Sequence, residues 1–233
     1  MNRQFGICGQ LTFLFLASSC FAQDAPTTKA LSPELHISVQ DSANVAPELL
    51  AAAEAEVHRI FQQAGVETLW RNCSEKVEKN QPAGCHVVGS TYLMLKILSD
   101  AKSVQVRDRI DVLGIAPLDE KGVGFYGYVF YDRIQKLAEK RRIASTLLGH
   151  VLAHEIGHLL LRSNSHSVSG IMSARWTGDE LRRISEGAML FTALESNVMR
   201  DRLLTLALKP AGTPRTLVVE NPSSRGIGNR EKL

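Results

Sequence analysis

Two histidines and a glutamate in the second half of the chain have a spacing that suits metal-assisted hydrolysis. The segment His154-Glu155-Ile156-Gly157-His158 matches the pattern His-Glu-x-x-His. On a helix, side chains four positions apart lie on one face, one turn from each other, so two imidazoles can bind one metal ion. A glutamate next to the first histidine then reaches a water molecule at the metal and acts as general base. The pattern predicts Zn²⁺ bound by His154 and His158, with Glu155 as the catalytic residue.

The surrounding segment favours this interpretation over a chance match. Residues 142–161 contain no proline, and apolar side chains lie around most of the helical circumference, which predicts a buried helix. Two histidines and a glutamate are costly to bury on such a helix unless they share a function. A chance occurrence of the pattern is expected in about one such sequence in a hundred.

Catalytic zinc has three protein ligands and an open position, so a third ligand must come from elsewhere in the chain. His166 follows His158 by eight residues, after a polar stretch that can end the helix and reverse the chain. Met172, six residues further on, closes a tight turn that contains glycine. His166 is therefore the candidate for the third ligand.

Together these features resemble the metzincins, zinc peptidases whose extended motif is His-Glu-x-x-His-x-x-Gly-x-x-His, followed by a methionine-containing turn beneath the metal. The glycine of that motif corresponds to Leu161 here, and its third histidine corresponds to Asn164. An amide is a poor zinc ligand beside an imidazole, so we expect His166 to take the third position through a longer turn. The resemblance implies that Met172 lies beneath the metal.

Other arrangements of the site stay open on the sequence alone. If His166 is a solvated loop residue, the third ligand is a carboxylate of the following helix, Glu180 or Glu186, as in zinc peptidases that resemble thermolysin. Met172 is then an ordinary core residue. His150, one turn before the motif, is expected to pack or to support the site, because it lies too far from a metal bound by the later pair.

The resemblance also implies how a substrate binds. In metzincins the strand just before the active-site helix is the edge of the sheet and lies antiparallel to the bound peptide. Gly127, Tyr128 and Val129 are expected to take that place and to bind an extended peptide or protein substrate by main-chain pairing. Arg175 and Trp176, just beyond the methionine, are candidates for a wall of the side-chain pocket, although Trp176 is equally suited to the core.

Strand and helix patterns place these residues in an α/β layer domain. Strands are predicted at 36–39, 66–70, 92–98, 112–117 and 128–131, and helices at 46–64, at 142–161 and from Thr177 to about 208. The spacing Thr177-x-x-Glu180 is that of a capping box at a helix start. This order indicates one mixed sheet backed by helices. The metzincin resemblance adds a zincin-like fold, with a twisted mixed sheet, an active-site helix and a C-terminal helix.

The two ends of the chain are expected to lie outside this domain. Residues 1–22 combine one positive charge, a short apolar run and a small-residue end, which indicates a secretory signal peptide, followed by a polar lead at 23–33. Lipid attachment at Cys20 is a weaker alternative. The catalytic domain is predicted at 34–208 and a flexible tail at 209–233. The mature protein is therefore expected to be secreted or periplasmic.

Two cysteines remain after residue 22, Cys73 and Cys85, and the predicted export determines which oxidation state is expected for them. An oxidising compartment favours one disulfide that closes a surface loop, with two free thiols as the alternative. Their spacing is not the Cys-x-x-Cys of a structural zinc site.

Composition argues against several other functions. The formal net charge is +3, from 27 Lys and Arg against 24 Asp and Glu, and the basic residues are scattered, which disfavours nucleic-acid binding. No apolar stretch is long enough for a stable membrane span. The sequence predicts a secreted zinc-dependent endopeptidase. The alternatives are a secreted binding module without catalysis and a zinc amide hydrolase that acts on non-protein substrates.

Overall fold

The structure is a computed structural model that describes residues 32–73, 91–99, 112–139 and 142–208. The strands in these ranges are β1 (Glu34–Asp41), β2 (Glu67–Cys73), β3 (Tyr92–Leu98), β4 (Gly114–Ile115) and β5 (Tyr126–Phe130). The helices are α1 (Pro47–Gln63), α2 (Tyr131–Ala138), α3 (Ala144–Leu161), α4 (Gly178–Ser185) and α5 (Ala193–Ala207).

The five strands form one mixed sheet in the order β2-β1-β3-β5-β4. Neighbours from β2 to β5 run parallel, whereas β4 is antiparallel to β5. Leu35, Ile37 and Val39 of β1 are all buried, because alternate side chains of a strand point to the same face. The predicted mixed α/β fold is confirmed, and the strand expected at 112–117 is shortened to the two residues of β4.

Helix α3 is enclosed by the rest of the domain. Every residue from Leu147 to Leu160 is buried, as its apolar circumference predicts. The helix packs against α1, β5 and the later helices. It ends at Leu161, because Arg162 adopts a left-handed conformation (φ 53°) that turns the chain back. An element anchored in this way is a rigid base for side chains that must keep a fixed geometry.

The single helix predicted from Thr177 to about 208 is two helices, and this prediction was wrong. The capping box at Thr177 does begin α4, but α4 ends at Ser185. Gly187 has a left-handed conformation (φ 68°), which a helix cannot continue. A second capping box at Thr192 then begins α5. The second Thr-x-x-Glu spacing was the sequence signal for the break.

Helix α2 was not expected from the sequence. The strand predicted at 128–131 ends at Phe130, and Tyr131 begins the helix. Tyr131, Ile134 and Ala138 are buried and recur at helical spacing. The β-prone run that precedes them obscured this signal.

Some sequence predictions concern residues outside the described ranges. These are the signal peptide at 1–22, the polar lead as far as residue 31, Cys85 and the tail at 209–233. Cys73 ends β2, and its pairing with Cys85 stays a prediction. Among the described helices, none combines the length and the apolar character that crossing a membrane requires.

Candidate metal centre

His154 and His158 bring their rings together from consecutive turns of α3. The two Nε2 atoms lie 3.0 Å apart, and the rings are nearly perpendicular, at 84°. Both side chains are buried, with 8% and 6% of their surface exposed. The structure therefore places the first two predicted ligands on one face, as their four-residue spacing requires.

Each of these rings is held by a hydrogen bond on its other nitrogen. Nδ1 of His154 donates to the backbone oxygen of Ile171 (2.7 Å), and Nδ1 of His158 donates to that of Ser163 (2.6 Å). A carbonyl oxygen only accepts, so the proton of each neutral ring lies on Nδ1 and each Nε2 keeps a lone pair. Carbonyl partners of this kind fix the tautomer and orientation of metal-binding histidines.

The protonation state of the pair also suits a metal ligand. Burial lowers the pKa of His154 to about 3, and burial lowers the pKa of His158 as well, so both rings are neutral at neutral pH. Two lone pairs 3.0 Å apart repel each other. A cation bound between them removes that repulsion, and neutral imidazole is the form that binds metals.

His166 approaches the pair from the loop after α3. Its ring centroid lies 5.4 Å from that of His154 and 4.9 Å from that of His158. One ligand atom from each of the three histidines lies within 4.8 Å of the other two. Zn–N bonds of about 2.0–2.1 Å in tetrahedral geometry separate ligand atoms by about 3.4 Å, so the cluster fits a three-histidine zinc site. Within the described ranges, no other group of His, Cys, Asp or Glu side chains meets the same criterion.

The rival carboxylate ligands have other roles. Glu180 Oε2 accepts a hydrogen bond from the backbone N–H of Thr177 (2.9 Å) and thereby caps α4. Glu186 is exposed and pairs with Arg182 at 3.1 Å. Neither glutamate belongs to the metal-binding cluster. The structure thus favours His166 over both.

His150 lies in the core and not in the cluster. It is fully buried, and its Nδ1 lies 2.8 Å from the backbone oxygen of Thr146 and 3.6 Å from a carboxylate oxygen of Glu56. Its ring meets the ring of Trp176 edge-on, with centroids 6.4 Å apart. These contacts agree with the predicted packing role.

Glu155 lies next to the histidines with an unpaired carboxyl oxygen. The residue is 4% exposed, and no described residue forms a hydrogen bond with its Oε2. Burial raises the pKa of Glu155 to about 8. An unpaired buried carboxyl group costs free energy, and such groups are concentrated at functional sites.

Met172 packs against α3 at Gly157. A Cβ atom at Gly157 would lie 2.5 Å from Sδ of Met172 and 2.9 Å from Cε1 of Phe191, closer than real side chains approach. Glycine at this position therefore lets the methionine turn reach the helix. The same turn contains Ile171, whose backbone oxygen holds His154. The turn therefore packs against the histidine-bearing helix, and the position of Met172 beneath a metal stays a prediction.

A cavity of about 1520 Å³ opens over the histidines. Its lining includes the three histidines and Glu155, the segment from Val112 to Pro117, part of α2, and the residues from Ser173 to Thr177. Arg175 and Trp176 belong to the last segment, as predicted. The Trp176 ring stands nearly perpendicular to that of His154, with centroids 5.6 Å apart.

Among the described strands, the edge of the sheet beside this cavity is β4, so the edge predicted at Gly127, Tyr128 and Val129 was wrong. Those residues lie in β5, which pairs with β3 on one side and with β4 on the other. In the described ranges none of the three lines the cavity. Strand β4 is only two residues long, and the pairing partner of so short a strand cannot be told from local sequence patterns.

Two contacts from β5 and α2 hold this edge in place. The backbone N–H of Phe130 donates to the oxygen of Leu113 (2.9 Å), and Nη1 of Arg133 donates to the oxygen of Val112 (2.8 Å). Sequence reasoning missed Arg133, because its role depends on the position of β4.

Sequence reasoning also missed Gly114, the first residue of β4. A Cβ atom there would lie 2.5 Å from Oε1 of Glu155 and 2.8 Å from its Cδ. Gly127 is close to the same residue, since its Cβ would lie 3.4 Å from Cβ of Glu155. Glycines in β4 and β5 therefore leave the space that the Glu155 side chain occupies.

Comparisons with known proteins add a structural likeness. No protein-family model matches the chain, and a search of curated proteins finds no match. Among solved structures, the chain is similar to the crystal structure of archaemetzincin from Methanopyrus kandleri. The two share 13% sequence identity, over 73% of this chain and 96% of that chain, with a TM-score of 0.48. The geometry of the histidines, and not this distant likeness, is the basis of the proposal that follows.

Proposed function

We propose that the protein is a zinc-dependent endopeptidase, with His154, His158 and His166 as zinc ligands and Glu155 as general base. One observation carries the proposal: three convergent imidazoles line the same cavity as a buried carboxyl group, and one oxygen of that group has no hydrogen-bond partner among the described residues. A purely structural zinc site has four protein ligands and no use for a base.

The roles of the side chains follow from their surroundings. A bound zinc ion supplies Lewis acidity, which makes a water molecule more acidic and polarises a carbonyl oxygen. Burial alone raises the pKa of Glu155, but a nearby cation favours the ionised form of a carboxyl group. Ionised Glu155 accepts a proton from water and then donates it to the leaving amine. The hydrogen bonds from Nδ1 keep His154 and His158 in one orientation throughout.

An extended peptide is the substrate class that the cavity favours. Its volume of about 1520 Å³ exceeds the roughly 300–1,000 Å³ of pockets for small molecules. In the described ranges the outer side of β4 is a sheet edge, and such edges bind extended chains through main-chain hydrogen bonds. We therefore assign the main-chain contact with substrate to β4 instead of residues 127–129.

Chelation tests the proposed function directly. We expect 1,10-phenanthroline to abolish cleavage of denatured casein by the purified protein, and added Zn²⁺ to restore it, because the ligand set is built for a metal. The non-chelating isomer 1,7-phenanthroline is the matched control and should leave cleavage unchanged. Cleavage that persists in the chelator would contradict the proposal, and zinc binding without any cleavage would favour the binding module.

The substitution Gly114→Ala tests the role of Glu155 without changing a zinc ligand. The added Cβ displaces the Glu155 carboxyl group, and misplacement of a catalytic group by about 1 Å costs about 10²-fold in rate. We therefore expect casein cleavage to fall by about that factor. The zinc content, measured by elemental mass spectrometry, should equal that of wild type. Gly178→Ala, at an exposed position, is the control, and equal activity of both variants would refute this role for Gly114.

A further inference from the structure

The carboxylate of Glu195 joins two parts of the chain that are distant in sequence. Oε2 accepts a hydrogen bond from the backbone N–H of Thr192 (2.7 Å), which caps α5. Oε1 accepts a hydrogen bond from the hydroxyl group of Ser167 (2.5 Å), in the loop after α3. Glu195 is only 7% exposed, so solvent screens these contacts weakly.

Ser167 directly follows His166 and is anchored through both its backbone and its side chain. Its backbone N–H donates to the oxygen of Met172 (2.8 Å), as part of a β-bridge with Ser173. The hydroxyl contact with Glu195 is the second anchor. The neighbours on either side, His166 and Val168, are both exposed.

His166 lacks the support that the other two candidate ligands have. His154 and His158 lie on a buried helix, and each donates from Nδ1 to a backbone oxygen. In the described part of the chain, the imidazole of His166 contacts the other two rings and has no hydrogen bond of its own. The position of His166 therefore depends on the backbone that Ser167 anchors.

We propose that Glu195, acting through Ser167, is a positioning residue that holds His166 at the metal. The inference rests on the proposed zinc site. Helix α5 packs against α3, so the contact ties the loop to the element that bears the other two ligands. A carboxylate that is itself fixed by a capping box holds the loop with little freedom to move. Outer contacts of this kind typically change metal affinity by about 10–100-fold.

The test measures zinc affinity by competition with a chromophoric chelator, independently of activity. Ser167→Ala removes only the hydroxyl contact, and we expect zinc to bind about 10–100-fold more weakly. Ser167→Thr keeps a hydroxyl group and should bind zinc nearly as wild type does. The visible absorption spectrum of Co²⁺ bound at the site should change in the alanine variant and be preserved in the threonine variant.

A matched pair of variants separates positioning from the stability of α5. Glu195→Ala and Thr192→Ala each remove half of the same capping box, but only the first breaks the contact with Ser167. Both should lower the melting temperature, while only Glu195→Ala weakens zinc binding. In the double variant Glu195→Ala/Ser167→Ala, the zinc affinity should fall no further than in Glu195→Ala alone. Both substitutions remove the same hydrogen bond, so their effects do not add.

Wild-type zinc affinity and an unchanged Co²⁺ spectrum in Ser167→Ala would overturn the positioning role and leave the proposed function intact. An equal loss of zinc affinity in Thr192→Ala would also overturn the positioning role, because it would show that the stability of α5, and not the contact with Ser167, determines the affinity. A wild-type protein that binds no zinc would instead overturn the proposed function itself.

Discussion

Replacement of Glu155 by glutamine is expected to lower the rate of casein cleavage by about 10²–10⁴-fold, the usual contribution of a general base. Glutamine keeps the shape of the side chain but cannot accept the proton from water. The three histidines are unchanged, and the hydrogen bonds of His154 and His158 involve other residues. Zinc content should therefore remain that of wild type. The lower cleavage rate would then reflect the missing general base and not a damaged metal site.

Glu186→Gln is the control for this substitution. Glu186 is exposed and pairs with Arg182, outside the histidine cluster, so its replacement should leave cleavage and zinc content unaltered. A Glu155→Gln protein that keeps its zinc and cleaves as fast as wild type would eliminate Glu155 as the general base.

The second large effect is expected from His166→Ala. Loss of one of three protein ligands should weaken zinc binding by more than the approximately 10–100-fold typical of an outer contact. Cleavage at limiting zinc should fall with it. The affinity is measured by chelator competition, and the cleavage rate is followed as a function of free Zn²⁺.

Asn164→Ala is the informative comparison for His166, because Asn164 occupies the position of the third histidine in the metzincin motif. It lines the cavity but does not belong to the histidine cluster. We expect its replacement to leave zinc affinity close to that of wild type. Strong loss in Asn164→Ala with little loss in His166→Ala would reverse the assignment of the third ligand.

Local sequence patterns predicted the parts of the fold whose signal is itself local. The apolar circumference of α3 predicted its burial, and the spacing of His154 and His158 predicted that their rings would meet. The edge of the sheet was assigned to residues 127–129 because the pairing partner of a two-residue strand such as β4 cannot be told from local patterns. The break between α4 and α5 was missed although Gly187 and Thr192 carried a signal for it.

The candidate site divides in the same way. Side chains with strong metal or acid–base chemistry could be found from residue type and spacing. The groups that hold these side chains could not be found in this way. They are the backbone oxygens of Ser163 and Ile171, and every residue has a backbone oxygen, whatever its type. The space at Gly114 and the contact between Ser167 and Glu195 likewise exist only after the chain has folded.

The most direct test of the zinc peptidase proposal is a titration of metal-free protein with Zn²⁺, in which bound zinc and casein cleavage are measured on the same samples. We expect cleavage to rise in step with zinc binding and to level off when His154, His158 and His166 are saturated by one ion. Glu155→Gln should bind the same amount of zinc without the rise in cleavage. Wild-type protein that takes up no zinc, or that cleaves casein equally well without it, would contradict the account.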